Sequence, residues 1–524
     1  MKTNIVLHHS KSATYDKEAW LRSVRSVFDQ TVQDFEITII DDTKSTELAD
    51  EVKTLNTSSI KINFLNLGTD RHSVQLSEAF HAVEADFHFY IDNRTQEIVL
   101  KKSALELCIL AVRNNPKTGM IYADYELLEN GVVKEKHLLK RHIGRVRDNQ
   151  DYGKVFFFTN VALQKCGGVS VDVKFNSLYD LRLKISEEHE LLHISNRYAG
   201  SMYRLMAESK AHNVFDYLLA GKDSQLEAEQ ILSAHLKRVG AYLEPGAFYT
   251  TRPKADSSAT LKASVIIPVN NRPEFICDAI ESVQAQTVRE VEVIVAVNGG
   301  DEDTTISSVK KYMQGGEKYD ASLPEVRLLV HDINNLGLCF NSGAKIARGE
   351  YYVQLDSDDR LTPDAVEKIL SVYKNDPKIG MVIGSYEVWE KDTSGNITRM
   401  EQIPVVTHDE WTEENGRNNL LRINGAGAPR SIPIALIKEI GFSMNEEPYA
   451  RNYGEDYQMV MKISERHRIG RVWDPIYKVI RHSGGTDHSI DQATIDRNDE
   501  AKDFMRKESI QRRKELNKNG NKNG

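Results

Sequence analysis

The chain repeats itself, and the period is a whole domain. Ser26-Val27-Phe28-Asp29-Gln30-Thr31-Val32, with the apolar run Phe35 to Ile40 behind it, returns as Ser282-Val283-Gln284-Ala285-Gln286-Thr287-Val288 followed by Val291 to Val295. Asn115-Pro116-Lys117-Thr118-Gly119-Met120-Ile121 returns as Asp376-Pro377-Lys378-Ile379-Gly380-Met381-Val382, and Lys184-Ile185-Ser186-Glu187 as Lys462-Ile463-Ser464-Glu465. The matches stay in order over more than 150 residues, which marks a tandem duplication and excludes a solenoid of short repeats. A chain of 524 residues is in any case too long for one ordinary core.

Each copy has the same coarse grammar. A buried strand such as Ser264-Val265-Ile266-Ile267 leads through a loop into a helix with apolar positions at Ile276, Ile280 and Val283. A β-branched run, another helix and the strand Tyr351-Tyr352-Val353-Gln354-Leu355 follow. Continuous apolar strands alternating with amphipathic helices predict an α/β fold around a mostly parallel sheet. Ligands of such sheets collect at the carboxyl ends of strands. Between the copies, Leu226 to Arg238, closed by Gly240, reads as a connecting helix. The expected layout is a first copy over 1–215, a helical linker over 216–258, a second copy over 259–490 and a basic tail over 491–524. That tail, poor in apolar residues, reads as helical at best and frayed at its end, a solvated extension with contact to anionic lipid head groups as the alternative.

Composition narrows the function. A formal net charge of -9 argues against a nucleic-acid binder, which must neutralise phosphates with Lys and Arg. The four cysteines (Cys108, Cys166, Cys277, Cys339) are far apart and form no metal or redox pattern, so they read as reduced thiols. No stretch approaches a membrane span, and Met1 to Leu7 runs into a strand-like segment rather than a signal peptide. These features predict a cytoplasmic protein, with contact to the inner membrane face through the tail as the alternative setting.

The chemistry gathers in the second copy. Asp356-Ser357-Asp358-Asp359 follows directly on a strand, where residues i and i+2 point the same way and Asp356 and Asp358 can converge. Hard carboxylates there suit Mg²⁺ or Mn²⁺ bound together with substrate phosphates, although Asp359 before Leu361-Thr362-Pro363 could equally cap a helix. Upstream, Asn335 to Gly349 carries Gly343 and Ala347 at helical spacing, which allows close packing. Downstream, Gly454-Glu455-Asp456-Tyr457 opens a helix at its electropositive end, and Arg481-His482-Ser483-Gly484-Gly485 sets a histidine on a glycine-rich loop.

In this order the motifs of residues 262 to 485 resemble the family 2 glycosyltransferases of the GT-A fold, beginning with Val265-Ile266-Ile267-Pro268-Val269-Asn270-Asn271-Arg272. The resemblance implies an inverting, metal-dependent transfer from a nucleotide-diphosphate sugar, a UDP-sugar being favoured, to a glycan or lipid-linked glycan acceptor. It implies that Pro268, Asn271 and Asn298 line the nucleoside pocket, with Asn335, Asp356 and Ser357 in the same nucleotide-sugar site. Asp358 and His482 would ligate Mn²⁺ or Mg²⁺, and Asp456 would be the general base. Glu455 would orient Asp456 or contact the acceptor. Asn270 and Asn298 depart from the Tyr and Asp common in the family, both at positions that touch the nucleotide base, and Phe340 replaces a frequent Arg. Trp411, in the polar segment Asp409-Glu410-Trp411-Thr412-Glu413, is the aromatic best suited to stack on acceptor sugar; Trp389 and Trp473 read as core.

The first copy fails the same test. Arg94 stands where Asp358 stands, and Ser177-Leu178-Tyr179 where Glu455-Asp456-Tyr457 stands, so a silent domain kept for packing or for holding acceptor is expected. The whole looks like bacterial enzymes that build surface polysaccharides. A glycan-binding scaffold of two dead copies would require broken motifs in both halves, and a bifunctional polymerase would require intact motifs in both. Two decoys remain. His189-Glu190-Leu191-Leu192-His193 matches a zinc-protease pattern but aligns with a helix end and a strand start, and Lys140 to Arg147 reads as a solvated basic loop.

Overall fold

Segments that repeat in sequence fold into the same strands, laid down in the same order. The computed structural model describes residues 2–43, 46–56, 59–196, 200–207, 221–392, 394–407, 416–423, 425, 427–444, 452–482 and 491–520. The chain divides into two compact units at Val239/Gly240. The helix expected as a linker therefore belongs to the first unit.

The first unit runs β1 (Thr3–His9), α1 (Lys17–Phe28), β2 (Phe35–Asp41), α2 (Thr46–Leu55), β3 (Ile62–Leu65), α3 (His72–His81), β4 (Phe87–Ile91), β5 (Ile98–Leu100) and α4 (Ala104–Asn114). It continues through β6 (Thr118–Ala123), β7 (Tyr125–Glu129), β8 (Val132–Lys136), β9 (Val155–Thr159), α5 (Asn160–Lys165), α6 (Ser177–Ile185), β10 (Glu190–Ile194), β11 (Tyr203–Met206) and α7 (Lys222–Arg238). Its main sheet has the order β10-β6-β9-β4-β1-β2-β3, and a smaller sheet the order β5-β11-β7-β8. In the main sheet only β9 runs antiparallel to its neighbours.

The second unit runs β12 (Leu261–Val269), α8 (Ile276–Gln284), β13 (Val291–Val297), α9 (Thr305–Lys310), β14 (Glu325–Val330), α10 (Leu336–Ile346), β15 (Gly349–Gln354), β16 (Arg360–Leu361) and α11 (Ala365–Asn375). After these come β17 (Ile379–Lys391), β18 (Ile397–Arg399), α12 (Gly416–Asn419), β19 (Arg430–Pro433), α13 (Ile434–Ile440), α14 (Glu455–Arg466), β20 (Arg468–Arg481) and α15 (Gln492–Gly520). The sheet order β14-β13-β12-β15-β19-β17-β20-β16 repeats that of the first unit strand for strand, with β19 antiparallel to β15 and β17 as β9 is to β4 and β6. The long strands β17 and β20 each do the work of two strands of the first unit. β20 runs beside β17 as β10 does beside β6, then pairs antiparallel with β16 as β11 does with β5.

The duplication extends to single hydrogen bonds. Gln30 Nε2 donates to the Ser26 and Lys101 carbonyls and its Oε1 accepts from Leu105 N; Gln286 does the same with Ser282, Thr362 and Val366. Thr31 Oγ1 donates to Glu106 at 2.8 Å, and Thr287 Oγ1 to Glu367 at 2.8 Å. The repeated glycines Gly119 and Gly380 are explained by crowding: an added Cβ would lie 2.6 Å from His189 Cβ and 2.5 Å from His467 Cβ. These side chains and glycines clamp helix to sheet, which is why the motifs survive in both copies.

Each unit buries a core on either side of its main sheet. In the second, Val265, Ile267, Val293 and Val353 pack with Ile280 and Val283 of α8 and Val366 and Ile369 of α11. On the opposite face Gly343 of α10 lies against Ile266, where a Cβ would come within 2.8 Å. The close packing expected of Gly343 thus serves helix-to-sheet contact.

Two expectations are corrected. Residues 492–520, expected as a solvated tail, form one long helix with a buried face. Arg506 pairs with Asp503 at 2.7 Å with both side chains buried, Ser509 donates to Glu465 of α14 at 2.9 Å, and Arg513 Nη2 reaches the Arg417 carbonyl at 2.6 Å. The second half of the Lys140–Arg147 run is likewise no solvated loop, since Arg145, Val146 and Arg147 are buried. Tyr179 of α6 donates to the Val146 carbonyl at 2.6 Å and Arg182 donates to that of Arg147. Among the described residues no helix is long and apolar enough to cross a membrane.

Candidate active site

Strand register brings the motif residues to one end of the second sheet. Val269 faces Val297 and Ile266 faces Gln354 on the parallel strands flanking β12, so Pro268, Asn298 and Asp356 emerge at one level. Asn271 takes a left-handed φ of 47°, which asparagine tolerates better than most residues. Asp303 fixes that turn by accepting from Asn271 N at 2.9 Å and Thr305 N at 2.8 Å. Asn298 is 3% exposed; its Nδ2 donates to Asn334 Oδ1 at 3.2 Å, and its Oδ1 is buried with no hydrogen-bond partner among the described residues. Asn335 caps α10 by accepting from Leu338 N at 2.8 Å and donates to the Met444 carbonyl at 3.1 Å. Its side chain thus holds the start of α10 and ties it to the chain at Met444.

After β15 the acidic loop is pinned from β20. Asp356 N donates to the Tyr477 hydroxyl at 3.1 Å, and Asp359 Oδ1 accepts from Ile480 N at 2.8 Å. Asp359 is thus a loop anchor and not a helix cap. Ser357 is buried between them. Asp358 Oδ2 receives Arg272 Nη1 and lies 3.1 Å from His482 Nε2, while the His482 ring packs on Phe275 with centroids 4.3 Å apart. Asp358 and His482, more than 120 residues apart in sequence, do meet. Among the described residues no group of three or more His, Cys, Asp or Glu side chains converges as a ready-made metal cage.

Asp456 sits in the first turn of α14, behind Gly454, whose φ of 87° turns the chain into the helix. Its Oδ2 pairs with Arg430 Nη2 at 2.7 Å. Burial works against ionisation of Asp456, but Arg430 first and Lys502 second outweigh it and hold the carboxyl below its ordinary range. The neighbouring Glu455 is pushed up to about 7, chiefly by burial and then by the Asp456 charge. Burial, followed by the Asp358 charge, raises Asp356 as well. Asp359 is raised well above the usual range by burial and then by Asp356 and Asp358. Carboxylates driven upward together are an excess of negative charge that a divalent cation would relieve. The donor set therefore fits Mg²⁺ or Mn²⁺: Asp358 and His482 would hold it, with remaining positions open for phosphate oxygens and water.

Arg430, Gln354, Tyr477 and Arg272 carry this geometry without having been singled out in the sequence. Arg430 is a cation opening the short strand continued by Ser431-Ile432-Pro433, which carries no other charge, and that contrast is the signal that marks it. Trp411 lies outside the described residues. Trp473 is 55% exposed with Arg471 4.0 Å above its ring, a correction to its reading as core. Trp389 lies under Lys478 Nζ at 4.5 Å.

In the first unit the matching space is closed by protein. Arg94 forks onto Asp92 at 2.7 and 3.0 Å, which holds Asp92 ionised against its burial. Ser177, in Glu455's place, meets His72 Nδ1 at 2.7 Å; His72 Nε2 meets the Tyr90 hydroxyl at 2.7 Å, and Tyr90 meets His8 at 3.0 Å. Burial, then Arg94, pushes His8 down to about 3, so this chain of hydrogen bonds is neutral. The zinc-protease look-alike is a strand: His193 lies on β10 and gives Nε2 to Asp124 at 2.6 Å, while His189 precedes the strand. Four residues of strand separate the two by roughly 13 Å, too far for one metal.

With the geometry in place, comparison with known proteins decides the family. Residues 264–427 match the profile of glycosyl transferase family 2. Residues 264–427 of the second unit thus form a family 2 domain. The chain is 34% identical over 139 residues to the chondroitin synthase of Escherichia coli, an alignment covering 26% of this chain and 19% of that protein. It is 33% identical over 119 residues to the hyaluronan synthase of Pasteurella multocida, covering 23% of this chain and 11% of the other. The chain thus spans about a fifth or less of the length of these relatives. Among solved structures, S. aureus TarS 1-349 in complex with UDP-GlcNAc is 20% identical with a TM-score of 0.34, over 44% of this chain and 62% of that one.

Proposed function

We propose that the family 2 domain is an inverting, metal-dependent glycosyltransferase that moves a sugar from a UDP-sugar to a glycan or lipid-linked glycan acceptor during bacterial surface polysaccharide synthesis. The observation that carries this reading is the pairing of Asp456 with Arg430, which keeps a half-buried carboxylate ionised, as a general base requires. The acceptor hydroxyl passes its proton to Asp456 as its oxygen bonds to the anomeric carbon. The bond from that carbon to the diphosphate breaks on the opposite face, and the configuration inverts. A divalent ion held by Asp358 and His482 would neutralise the diphosphate that leaves. Asn298 supports the choice of nucleotide. Its buried Oδ1, without a hydrogen-bond partner among the described residues, is an acceptor that suits the N3–H of uracil, as it would that of thymine or the N1–H of guanine, and opposes cytosine, whose N3 is itself an acceptor.

The first unit holds no donor in this reading. Its acidic pair is reduced to one Asp neutralised by Arg94, and Ser177 replaces the carboxylate before the base. Calorimetric titration with UDP, GDP, CDP and dTDP, with and without Mn²⁺, against wild type and Asp358→Ala tests the proposal. UDP should bind with Mn²⁺ and lose that dependence in the variant, while Asp456→Asn should keep nucleotide binding and lose turnover. Absence of nucleotide binding would favour the glycan-binding scaffold, and binding unchanged by Asp358→Ala would move suspicion to the first unit.

A further inference from the structure

The base and the nucleotide-side carboxylate approach the site from different elements, and one guanidinium joins them. Arg430, the first residue of β19, spends its nitrogens on three separate partners. Nη2 pairs with Asp456 Oδ2 at 2.7 Å, Nε donates to Gln354 Oε1 at 3.0 Å, and Nη1 donates to the Gly427 carbonyl at 2.6 Å. Gln354 then donates its Nε2 to Asp356 Oδ1 at 3.2 Å. We propose that Arg430 is the positioning residue of this site: it aims Asp456 and, through Gln354, ties the base to the carboxylate beside the nucleotide. This rests on the assignment of Asp456 as base.

Three features argue for it. First, the amide of Gln354 can give its N–H to Asp356 only while its carbonyl faces Arg430, so the guanidinium sets the sense of the whole relay. Second, the fork is filled. A lysine has the charge but no planar set of donors, and it cannot hold Asp456, Gln354 and Gly427 in three fixed directions. Third, the charges facing Asp456 are unbalanced without it. Glu455 adjoins it on α14, Asp356 faces it from the loop after β15, and the Tyr352 phenol lies on β15 between them. Lys502 of α15 is the other cation acting on Asp456, with its Nζ 4.5 Å above the Tyr453 ring. Loss of a paired cation at this range raises a carboxyl by about one pH unit or more.

The test follows UDP release from a panel of UDP-sugars, with water as acceptor, across pH, with Glu455→Gln as the common background so that the acid limb reports Asp456. Arg430→Met should move that limb up by about one pH unit or more while the Kd for UDP stays within about threefold. Arg430→Lys, which keeps the buried charge and therefore the fold, should lower kcat by about tenfold or more with donor KM unchanged. An arm without turnover uses urea unfolding at pH 8: Arg430→Met should cost less than half as much stability when Asp456→Asn is already present. An unmoved acid limb, a lysine variant with wild-type kcat, additive stabilities or lost UDP binding in Arg430→Met would each overturn the proposal. Full activity in Asp456→Asn would instead sink the base assignment itself; an inactive Asp456→Asn with an unmoved limb sinks only the role of Arg430.

Discussion

One oxygen of Glu455 is buried without a hydrogen-bond partner among the described residues, a costly state for an anion. The folded protein accordingly lifts this carboxyl to about 7, well above its value in the open chain. Between the ordinary carboxylate range and 7 the folded state binds a proton that the unfolded state lacks, so this group costs stability as pH rises through that window. Glu455→Gln should therefore be more stable than wild type at pH 8, with the advantage shrinking toward pH 5, as read from urea melts at both values. At this scale the sequence was legible where motifs were contiguous. Asp356, Asp358, Asp456 and His482 announce themselves by type and setting. Arg430 and Gln354 do not, because a relay across three elements leaves no local spacing to read. Asn335 shows a second use that the motif alone does not reveal: an asparagine before a helix caps it.

Among the elements, α14 is the one whose start decides chemistry. Gly454 precedes it with a left-handed φ of 87°, and a Cβ there would lie 2.8 Å from the end of the Met505 side chain. Gly454→Ala should cost about 1–2 kcal/mol for the backbone alone and shift the first turn that carries Asp456. A fall in kcat of about tenfold or more with unchanged UDP affinity would show it. The buried face of α15 was missed because its pattern gives nothing to read. Its buried face is built from Lys502, Asp503, Arg506, Ser509 and Arg513 with few apolar residues, so a search for apolar periodicity finds a polar segment. Its charges are buried because they are paired or bonded to carbonyls. Ending the chain at residue 491 should lower the melting temperature of the second unit by more than about 5 °C or leave it insoluble; a solvated tail would leave melting unchanged.

For the whole molecule, duplication supplied the fold class directly. Two copies of one text have to find one architecture, and the identical strand orders show that they do. The sequence could not place the division between units, because α7 has the composition of a linker yet packs on α6 and gives His235 and Arg238 to Glu187. The asymmetry of the two sites leads to a prediction at this scale. Residues 240–524 alone should bind UDP with Mn²⁺ as the full chain does, residues 1–239 should not, and Arg94→Ala in the full chain should leave turnover nearly unchanged. Calorimetry on the two halves, with UDP release for the variant, reads all three.

The single strand β20 has a consequence for how the two halves can change over time. In the first unit its counterpart is split into β10 and β11, and the residues between them can lengthen without disturbing either partner. In the second unit an unbroken strand carries Tyr477 to Asp356, Ile480 to Asp359 and His482 to Asp358. Its register with β17 shifts between Arg471 and Tyr477 but is unbroken from Tyr477 to Arg481, so one residue inserted in that last stretch would slide the Ile480 and His482 anchors together. The second unit is therefore held to length along Tyr477 to Arg481, and natural insertions should be rarer there than between β10 and β11 of the first unit.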